Sequence, residues 1–161
     1  MRRTDRAVTD IREIEEIIST CKTCHVAMID GTVPYVVPLN FGYELNERQL
    51  TLYVHCAAEG RKIDVWRANP LVCFDAVNEG EPLFPETPCN SGYYFSSVIG
   101  TGRIEAVENA AEKCRALALL MKHQCGKDIA FTAAQAAAVA VYRIISADYT
   151  AKRKSRPHRI R

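Results

Sequence analysis

The chain has 161 residues, of which 48% are apolar and 25% are charged, and its formal net charge is +2. This length favours one domain with its own core, and the apolar content excludes a chain that is disordered throughout. The most apolar stretch, residues 133–145, is interrupted by Gln135 and Arg143, so no membrane span is expected. The N-terminus lacks the apolar segment of a signal peptide, and the seven cysteines therefore predict reduced thiols in the cytoplasm.

The charge is unevenly distributed along the chain. The last ten residues, KRKSRPHRIR, hold six basic side chains and no acid, which leaves a net charge of −4 on the rest. We therefore expect one domain over residues 1–151 and a basic, solvated tail over residues 152–161. A nucleic-acid-binding domain would carry basic charge on its body, so no specific nucleic-acid partner is expected.

A helix and a hairpin are predicted near the N-terminus. Isoleucines at helical spacing indicate an amphipathic helix over residues 10–20, and Asp10 followed by Glu13 resembles a capping box at its start. The turn sequence Asp30-Gly31 lies between two β-prone runs and predicts a hairpin. Pro34 and Pro38 in its second strand favour a position at the edge of a sheet.

Strands and a short helix are predicted in the middle of the chain. The segment QLTLYVH alternates as a third strand, and a short helix begins near Gly60. A compact strand over residues 71–77 is followed by a proline-containing excursion over residues 78–91. Residues 93–107 form a long strand whose two glycines mark bends.

The C-terminal part predicts two helices and a final strand. The segment NAAEKCRALALLMKHQCG has an apolar face at helical spacing, and Gly126 suits its C-terminus. Thr132 caps a short Ala-rich helix, and residues 139–145 form the last strand. The strands are joined mainly as hairpins, which favours an antiparallel sheet. We therefore predict a mainly β, α+β fold: a six-stranded antiparallel split β-barrel with flanking helices.

The segment LYVHCAAEGRKID holds the most informative group of polar residues. A strand ends at His55, and a helix begins near Gly60 with Arg61 and Lys62 in its first turn. Cations are unfavourable at a helix N-terminus, but a bound phosphate would reverse this, because free N–H groups and both side chains attract anions. The alternative to a phosphate site is that Arg61 and Lys62 are only solvated charges on the surface.

Several segments in the same order resemble the FMN-binding split-barrel family, the group that includes pyridoxamine 5′-phosphate oxidase. They are PYVVPLNFGYE, LYVHCAAEGRKID and YYFSSVIGTGRIEAVENAAEKCRAL. The resemblance is closer to the nitroimidazole-resistance branch, whose opening the segment RRTDR fits. It runs from about residue 2 to residue 154, nearly the whole chain.

The resemblance implies a homodimer with FMN, or alternatively FAD, at the subunit interface. By position, Arg61 and Lys62 after Gly60 match the phosphate-binding pair. The residues that match strands along the flavin ring and ribityl chain are Pro38, Leu39, Asn40, Tyr53, His55, Ser97 and Val98. His55 is the candidate catalytic residue, because an imidazole beside a cofactor can orient a substrate or supply a proton near neutral pH.

Cys21, Cys24 and His25 spell C-x-x-C-H, the pattern of covalent haem attachment. An export signal is missing, and a structural zinc site needs a fourth ligand that no second close-spaced pair supplies. We therefore predict no metal site and interpret the cysteines as ordinary thiols.

The resemblance implies a flavin-dependent oxidoreductase acting on a small electron acceptor, such as a nitroaromatic compound. A flavin-binding carrier or sensor without robust turnover is the alternative from another functional class. Pyridoxamine 5′-phosphate oxidation is less favoured, because the signature of that group is not found in VYRIISADYTAKRK.

Overall fold

The computed structural model describes residues 3–155, which form four α-helices and eight β-strands. The helices are α1 (Ile11–Thr20), α2 (Arg61–Ala68), α3 (Ala110–Cys125) and α4 (Ala133–Ala137). The strands are β1 (Ala7–Val8), β2 (Thr23–Asp30), β3 (Val33–Asn40), β4 (Gly42–Leu45), β5 (Leu50–Cys56), β6 (Leu71–Leu83), β7 (Gly92–Ala106) and β8 (Ala140–Lys154). None of the helices in this part of the chain has the length and hydropathy of a membrane span.

All strands belong to one antiparallel sheet with the order β3-β2-β6-β7-β8-β5-β4, and β1 pairs with β8. The sheet encloses a core that includes Val26, Leu52, Phe74, Val98 and Ile144, each at most 1% exposed. This arrangement confirms the predicted α+β split-barrel fold. It also confirms the edge position of β3, where Pro34 and Pro38 lie.

The strand count was predicted wrongly: the sheet has eight strands, not six. The predicted second strand is divided at Phe41, which is fully buried and separates β3, paired with β2, from β4, paired with β5. The two-residue strand β1 was also missed, because only its pairing with Ala151 and Lys152 of β8 defines it.

The predicted excursion over residues 78–91 is partly strand. β6 continues to Leu83 and pairs with β7 down to Gly92, with an irregularity between Glu79 and Pro82. Pro82 is tolerated there because this end of β6 has no strand on its other side in the described structure, so the missing N–H disrupts no ladder.

The last strand is longer than predicted and enters the segment expected to be a tail. β8 pairs on one side with β5, from Cys56↔Ala140 to Leu50↔Ser146, and on the other side with β7, from Ala106↔Tyr142 to Phe95↔Lys154. Residues 152–154 are therefore strand, and residues 156–161 of the predicted tail lie outside the described residues. Of the two glycines predicted to bend β7, Gly102 lies at the shift in its register with β8, between Thr101 and Arg103, and Gly100 lies just before it.

The helix termini follow the sequence signals. The Asp10 side chain caps α1 by accepting from the backbone N–H of Arg12 and Glu13. Gly126 ends α3 in the left-handed conformation, and Thr132 forms a capping box with Gln135 at α4. Each device satisfies backbone groups that a helix leaves unpaired at its ends.

Candidate functional site

The start of α2 has the backbone geometry of an anion site. Its N-cap residue, Gly60, has φ of 131° and supplies no side-chain cap. The first-turn N–H groups of a helix have no partner within the helix, so an anion can accept from them. Arg61 and Lys62 are the first two helical residues, which confirms the predicted placement of these cations at a helix N-terminus.

The two cations have different surroundings. Arg61 donates from Nε to Asp30 Oδ2 over 2.8 Å, and its guanidinium lies 4.2 Å from the centre of the Tyr35 ring. Within residues 3–155, Lys62 has no ion pair; its charge acts on the half-buried thiol of Cys56, whose pKa is raised by burial and lowered by Lys62. Lys62 is therefore the cation available to an added anion, whereas Arg61 is shared with Asp30.

His55 lies at the exposed end of β5, six positions before Arg61. In the described part of the chain its side chain makes no hydrogen bond or ion pair. Its position beside the turn that leads to α2 is consistent with a group that is open to a small molecule.

Pro38, Leu39 and Asn40 end the edge strand β3. Leu39 packs partly against the core, whereas Pro38 is exposed. The Asn40 amide donates to the Lys22 carbonyl over 3.0 Å and to Gln124 Oε1 over 3.2 Å. Its amide nitrogen is thus engaged in holding this end of β3 to the C-terminal end of α3.

Ser97 and Val98 lie on β7, at the other end of the sheet from Arg61. Ser97 pairs with Val77 of β6, and Val98 is fully buried in the core. Three strand steps separate Ser97 from Asn40 along the sheet, roughly 14 Å. The Asp30 end of β2, where Arg61 is held, lies roughly 20 Å further along the strand direction. One subunit therefore does not bring Ser97 and Arg61 together, and the Asn40 end of β3 lies equally far from the Asp30 end along the strand direction.

The Tyr53 side chain faces α3 rather than α2. Its hydroxyl donates to Glu44 Oε2 over 2.6 Å and accepts from Arg115 Nη2 over 2.8 Å, and Arg115 also pairs with Glu44. Burial, followed by Glu44, raises the pKa of Tyr53 to about 12. This cluster ties α3 to β4 and β5, so both faces of β5 are covered up to Val54.

A large groove in the described structure lies apart from most of the predicted site. A groove of about 1100 Å³ lies between α3 and the β4–β5 hairpin, and Tyr53 is the one predicted residue that lines it. A smaller hollow of about 430 Å³ adjoins Arg61 and Asp30. The charged groups of the larger groove that flank Tyr53 are already paired: Arg115 with Glu44, and Arg143 with Glu105 and Glu112. We interpret this polar lining as ion pairs that anchor α3.

The C-x-x-C-H segment does not converge on one point. Cys21 and Cys24 are buried, whereas His25 is exposed on the opposite face of β2 and pairs with Asp75 over 2.9 Å. Among residues 3–155, no group of three His, Cys, Asp or Glu side chains is arranged to hold a metal ion.

The residues around α2 fit a flavin phosphate and the polar edge of a flavin ring. The uncapped N-terminus and Lys62 suit the phosphate. Since β3 is an edge strand, alternate backbone N–H and C=O groups face away from β2 and can bond a ring edge. Asp30 and Tyr35, which contact Arg61, were not predicted, because Asp30 had already been explained as a turn residue.

Comparison with known proteins defines the class to which this split barrel belongs. The family model described as pyridoxamine 5′-phosphate oxidase matches residues 10–153. The chain belongs to this family, and the resemblance found in the sequence is confirmed. No curated protein sequence matches the chain.

Solved structures with the same fold include several flavoproteins. A proposed 5-nitroimidazole antibiotic resistance protein from Bacteroides thetaiotaomicron is 30% identical over 91% of this chain and 85% of its own, with a TM-score of 0.77. A flavocytochrome from Azotobacter vinelandii is 20% identical over 98% of this chain and 73% of its own, with a TM-score of 0.78. An FAD-binding protein from Mesorhizobium loti is 23% identical over 93% of this chain and 98% of its own, with a TM-score of 0.65.

Proposed function

We propose that the chain binds FMN and serves as a flavin-dependent oxidoreductase of a small electron acceptor. The observation that carries this proposal is the uncapped N-terminus of α2, with Gly60 at φ of 131° and Lys62 unpaired within the described structure. A helix start without a side-chain cap and with two adjacent cations is suited to a phosphate. FAD is an alternative, because an adenylate can extend outward from a phosphate at an exposed helix start.

Each part of the site has a distinct task in this proposal. Bound FMN supplies reversible two-electron oxidation and reduction. Lys62 and the α2 N–H groups hold the phosphate, and Arg61 adds a bidentate donor when it leaves Asp30. The ring extends along the edge strand β3, where the carbonyl group of Pro38 faces away from β2 and accepts from the ring edge. The Asn40 amide positions the end of β3 through its contacts with Lys22 and Gln124.

His55 is proposed as the proton donor to a bound acceptor. Its imidazole is exposed next to the turn that leads to α2, and histidine exchanges protons near neutral pH. A small acceptor bound in front of β5 would therefore meet an available proton without a large movement of the chain.

A homodimer is proposed from the outer face of the sheet. The exposed apolar side chains on this face are Ile29, Val36, Leu71, Val77 and Ile99, which are 39–63% exposed. A second copy would cover them, and it would also bring Ser97 of one subunit to the phosphate site of the other. A symmetric contact of this kind uses the same patch on both subunits.

The acceptor class is proposed from the relative that is 30% identical, which bears the name of a 5-nitroimidazole antibiotic resistance protein. A nitroaromatic compound is therefore the first acceptor to test. Pyridoxamine 5′-phosphate, which would be oxidised and would donate its electrons to the flavin, is tested separately as a substrate. The seven free cysteines suit a reducing cytoplasm, which is the location that we propose.

The first experiment is an absorption spectrum of the purified protein, with the released cofactor identified by mass. A flavin spectrum with FMN released on denaturation is expected. A colourless protein that also fails to bind added FMN would overturn the proposal. If FMN binds, reduced protein should be reoxidised faster by a nitroaromatic than by oxygen alone. Equal rates would favour a flavin carrier or sensor without turnover.

A further inference from the structure

The last two turns of α3 pack against the junction between β3 and β4. Phe41, which is the one residue between these strands, is fully buried, and the centre of its ring lies 4.7 Å from the centre of the His123 ring. The Tyr43 ring meets the same imidazole edge-on at 5.0 Å. Gly42 lies so close to α3 that a Cβ atom on it would be 2.5 Å from the backbone nitrogen of Leu120. The junction therefore follows the position of α3.

The carbonyl group of Phe41 is the point at which α3 holds the junction by hydrogen bonds. His123 Nδ1 lies 2.7 Å from this oxygen, and Gln124 Nε2 donates to it over 2.8 Å. Because a carbonyl oxygen only accepts, Nδ1 carries the proton of the imidazole. His123 Nε2 is buried and has no hydrogen-bond partner among the residues that the structure describes. The bond to Phe41 therefore orients the ring of His123.

The junction adjoins the proposed position of the flavin ring. Pro38, whose carbonyl group is proposed to accept from the ring edge, precedes Phe41 by three positions. Gly42 pairs with Tyr53, two positions before His55. The end of β3 and the end of β5 that carries the proposed proton donor therefore come together at this junction, and a shift of Phe41 would move one relative to the other.

We propose that His123 is a positioning residue of the flavin site: its neutral imidazole holds the carbonyl group of Phe41 and so fixes the end of β3 beside His55. This inference rests on the proposed flavin binding. His123 acts through Phe41 rather than through contact with the flavin, so its loss should shift the ring site and leave the phosphate site at Lys62 intact.

The surroundings of the imidazole favour its neutral form. Burial lowers the pKa of His123, and Lys22 lowers it further, whereas the carbonyl groups of Phe41, Ile18 and Ser19 act in the opposite direction. The Lys22 ammonium group lies beside this turn of α3, because it donates to the backbone carbonyl of His123 over 2.5 Å. A second proton on the ring would therefore add an N–H group at a buried position and a positive charge near Lys22.

Other titratable groups around His123 do not replace this effect. Tyr43 of β4 and Glu15 of α1 line the same groove as His123, together with Lys122 of α3. Burial raises the pKa of Tyr43, so this phenol stays neutral in acid, and Lys122 is paired with Asp128. The contribution of neutral His123 should be complete above its ordinary pKa of 6.5 and be lost as the pH falls below it.

Two substitutions of His123 separate the hydrogen bond from the packing of the ring. His123→Asn keeps an N–H donor near the position of Nδ1 and does not titrate, whereas His123→Leu removes the donor. At about pH 7.5, His123→Asn should bind FMN with a Kd within about twofold of the wild type. His123→Leu should bind about three- to tenfold more weakly, as expected for one neutral hydrogen bond. A wild-type Kd in His123→Leu, or equal weakening in both variants, would overturn the inference.

The pH profile tests whether the neutral imidazole is the active form. Between about pH 7.5 and about pH 5, the wild type should lose at least about threefold more FMN affinity than His123→Asn, since only the wild type gains a proton at this position. The phosphate of FMN also titrates near pH 6, but this affects both proteins equally and cancels in the ratio of their Kd values. A ratio that does not change with pH would overturn the inference.

A change at the other end of α3 is the matched control for helix stability. Asn109 caps α3 by accepting from the backbone N–H of Glu112 over 3.0 Å, so Asn109→Ala destabilises the same helix without removing a bond to Phe41. Its Kd for FMN should equal that of the wild type, and weakening as large as in His123→Leu would overturn the inference. A wild-type protein that binds no FMN would overturn the proposed function, whereas FMN binding that is unchanged in His123→Leu would overturn only the role of His123.

Discussion

Asp30 and Arg61 form an ion pair that joins the end of β2 to the first residue of α2, with Oδ2 and Nε 2.8 Å apart. The same guanidinium lies over the Tyr35 ring. These contacts fasten Arg61 to the β2–β3 hairpin and leave Lys62 as the available cation at the helix start. Asp30 and a bound phosphate should therefore compete for Arg61, and this competition should set the affinity of the site for FMN.

Asp30→Asn should strengthen FMN binding by about two- to fivefold, because an exposed ion pair contributes up to about 1 kcal/mol and its loss frees Arg61. Quenching of flavin fluorescence in a titration measures the change. Asp128→Asn, which removes an exposed ion pair with Lys122 of α3, is the control and should leave the Kd unchanged. Weaker binding by Asp30→Asn would show that the pair positions Arg61 for the ligand.

Lys62→Ala should weaken FMN binding by about ten- to a hundredfold, because a hydrogen bond to a charged group contributes about 1.5–3 kcal/mol. Arg67→Ala, in the last turn of α2, removes a cation of the same helix and is the matched control. Isothermal titration calorimetry of both variants with FMN tests whether Lys62 binds the phosphate. Equal affinities of Lys62→Ala and the wild type would remove Lys62 from the site.

Gly60→Ala should lower the free energy of unfolding by about 1–3 kcal/mol, because φ of 131° is a backbone conformation that non-glycine residues rarely adopt. No atom lies within 4 Å of the added Cβ, so the cost is strain in the backbone. Gly31→Asn is the control, since φ of 62° lies in the left-handed region that asparagine tolerates. Urea denaturation gives the free energy of unfolding of both variants. Equal losses of stability in Gly60→Ala and Gly31→Asn would contradict the prediction.

Tyr53→Phe should lower the free energy of unfolding by about 1–3 kcal/mol at neutral pH, since it removes bonds to Glu44 and Arg115. Burial and Glu44 raise the pKa of Tyr53 from 10.0 to about 12. The stability that this proton contributes is complete below pH 10 and is lost as the pH rises towards 12. Between these values the wild type should lose stability more steeply than Tyr53→Phe, as measured by urea denaturation; parallel curves would contradict the burial of the phenol.

Thiol labelling should separate the seven cysteines by burial. Cys73, Cys89 and Cys125 are exposed and should react with iodoacetamide in the folded protein. Cys21 and Cys24 should react only after unfolding, because they are buried and burial raises the pKa of Cys24 to about 12, so little thiolate forms. Peptide mapping by mass spectrometry gives the order in which the cysteines are labelled. Rapid labelling of Cys24 in the folded protein would contradict the prediction.

Local patterns predicted the elements whose causes are local. The capping residue Asp10, the hairpin turn at Asp30-Gly31 and the left-handed Gly126 lie where the residue types indicated, because each acts within one turn of chain. The prolines of β3 correctly indicated an edge strand, since proline disrupts a ladder at any interior position. The placement of Arg61 and Lys62 at a helix start follows from the same kind of signal.

The pairing of distant segments determined the strands and contacts that local patterns did not predict. Residues 146–154 of β8 and 78–83 of β6 have weak strand patterns of their own and become strands by pairing with β7. Tyr53 was assigned by sequence to the cofactor, yet Arg115, 62 positions away, draws its hydroxyl towards α3. No local pattern contains this information, because it depends on where α3 packs.

The sequence by itself therefore determined the fold class, the family and the cations at the start of α2, since these depend on periodicity, turn chemistry and ordered motifs. Only the tertiary structure decided that Asp30 holds Arg61, that Ser97 lies at the far end of the sheet from it, and that β6 continues as a strand to Leu83 by pairing with β7. These relationships arise from the register of an antiparallel sheet, in which residues far apart in the chain become neighbours and residues on neighbouring strands can lie at opposite ends.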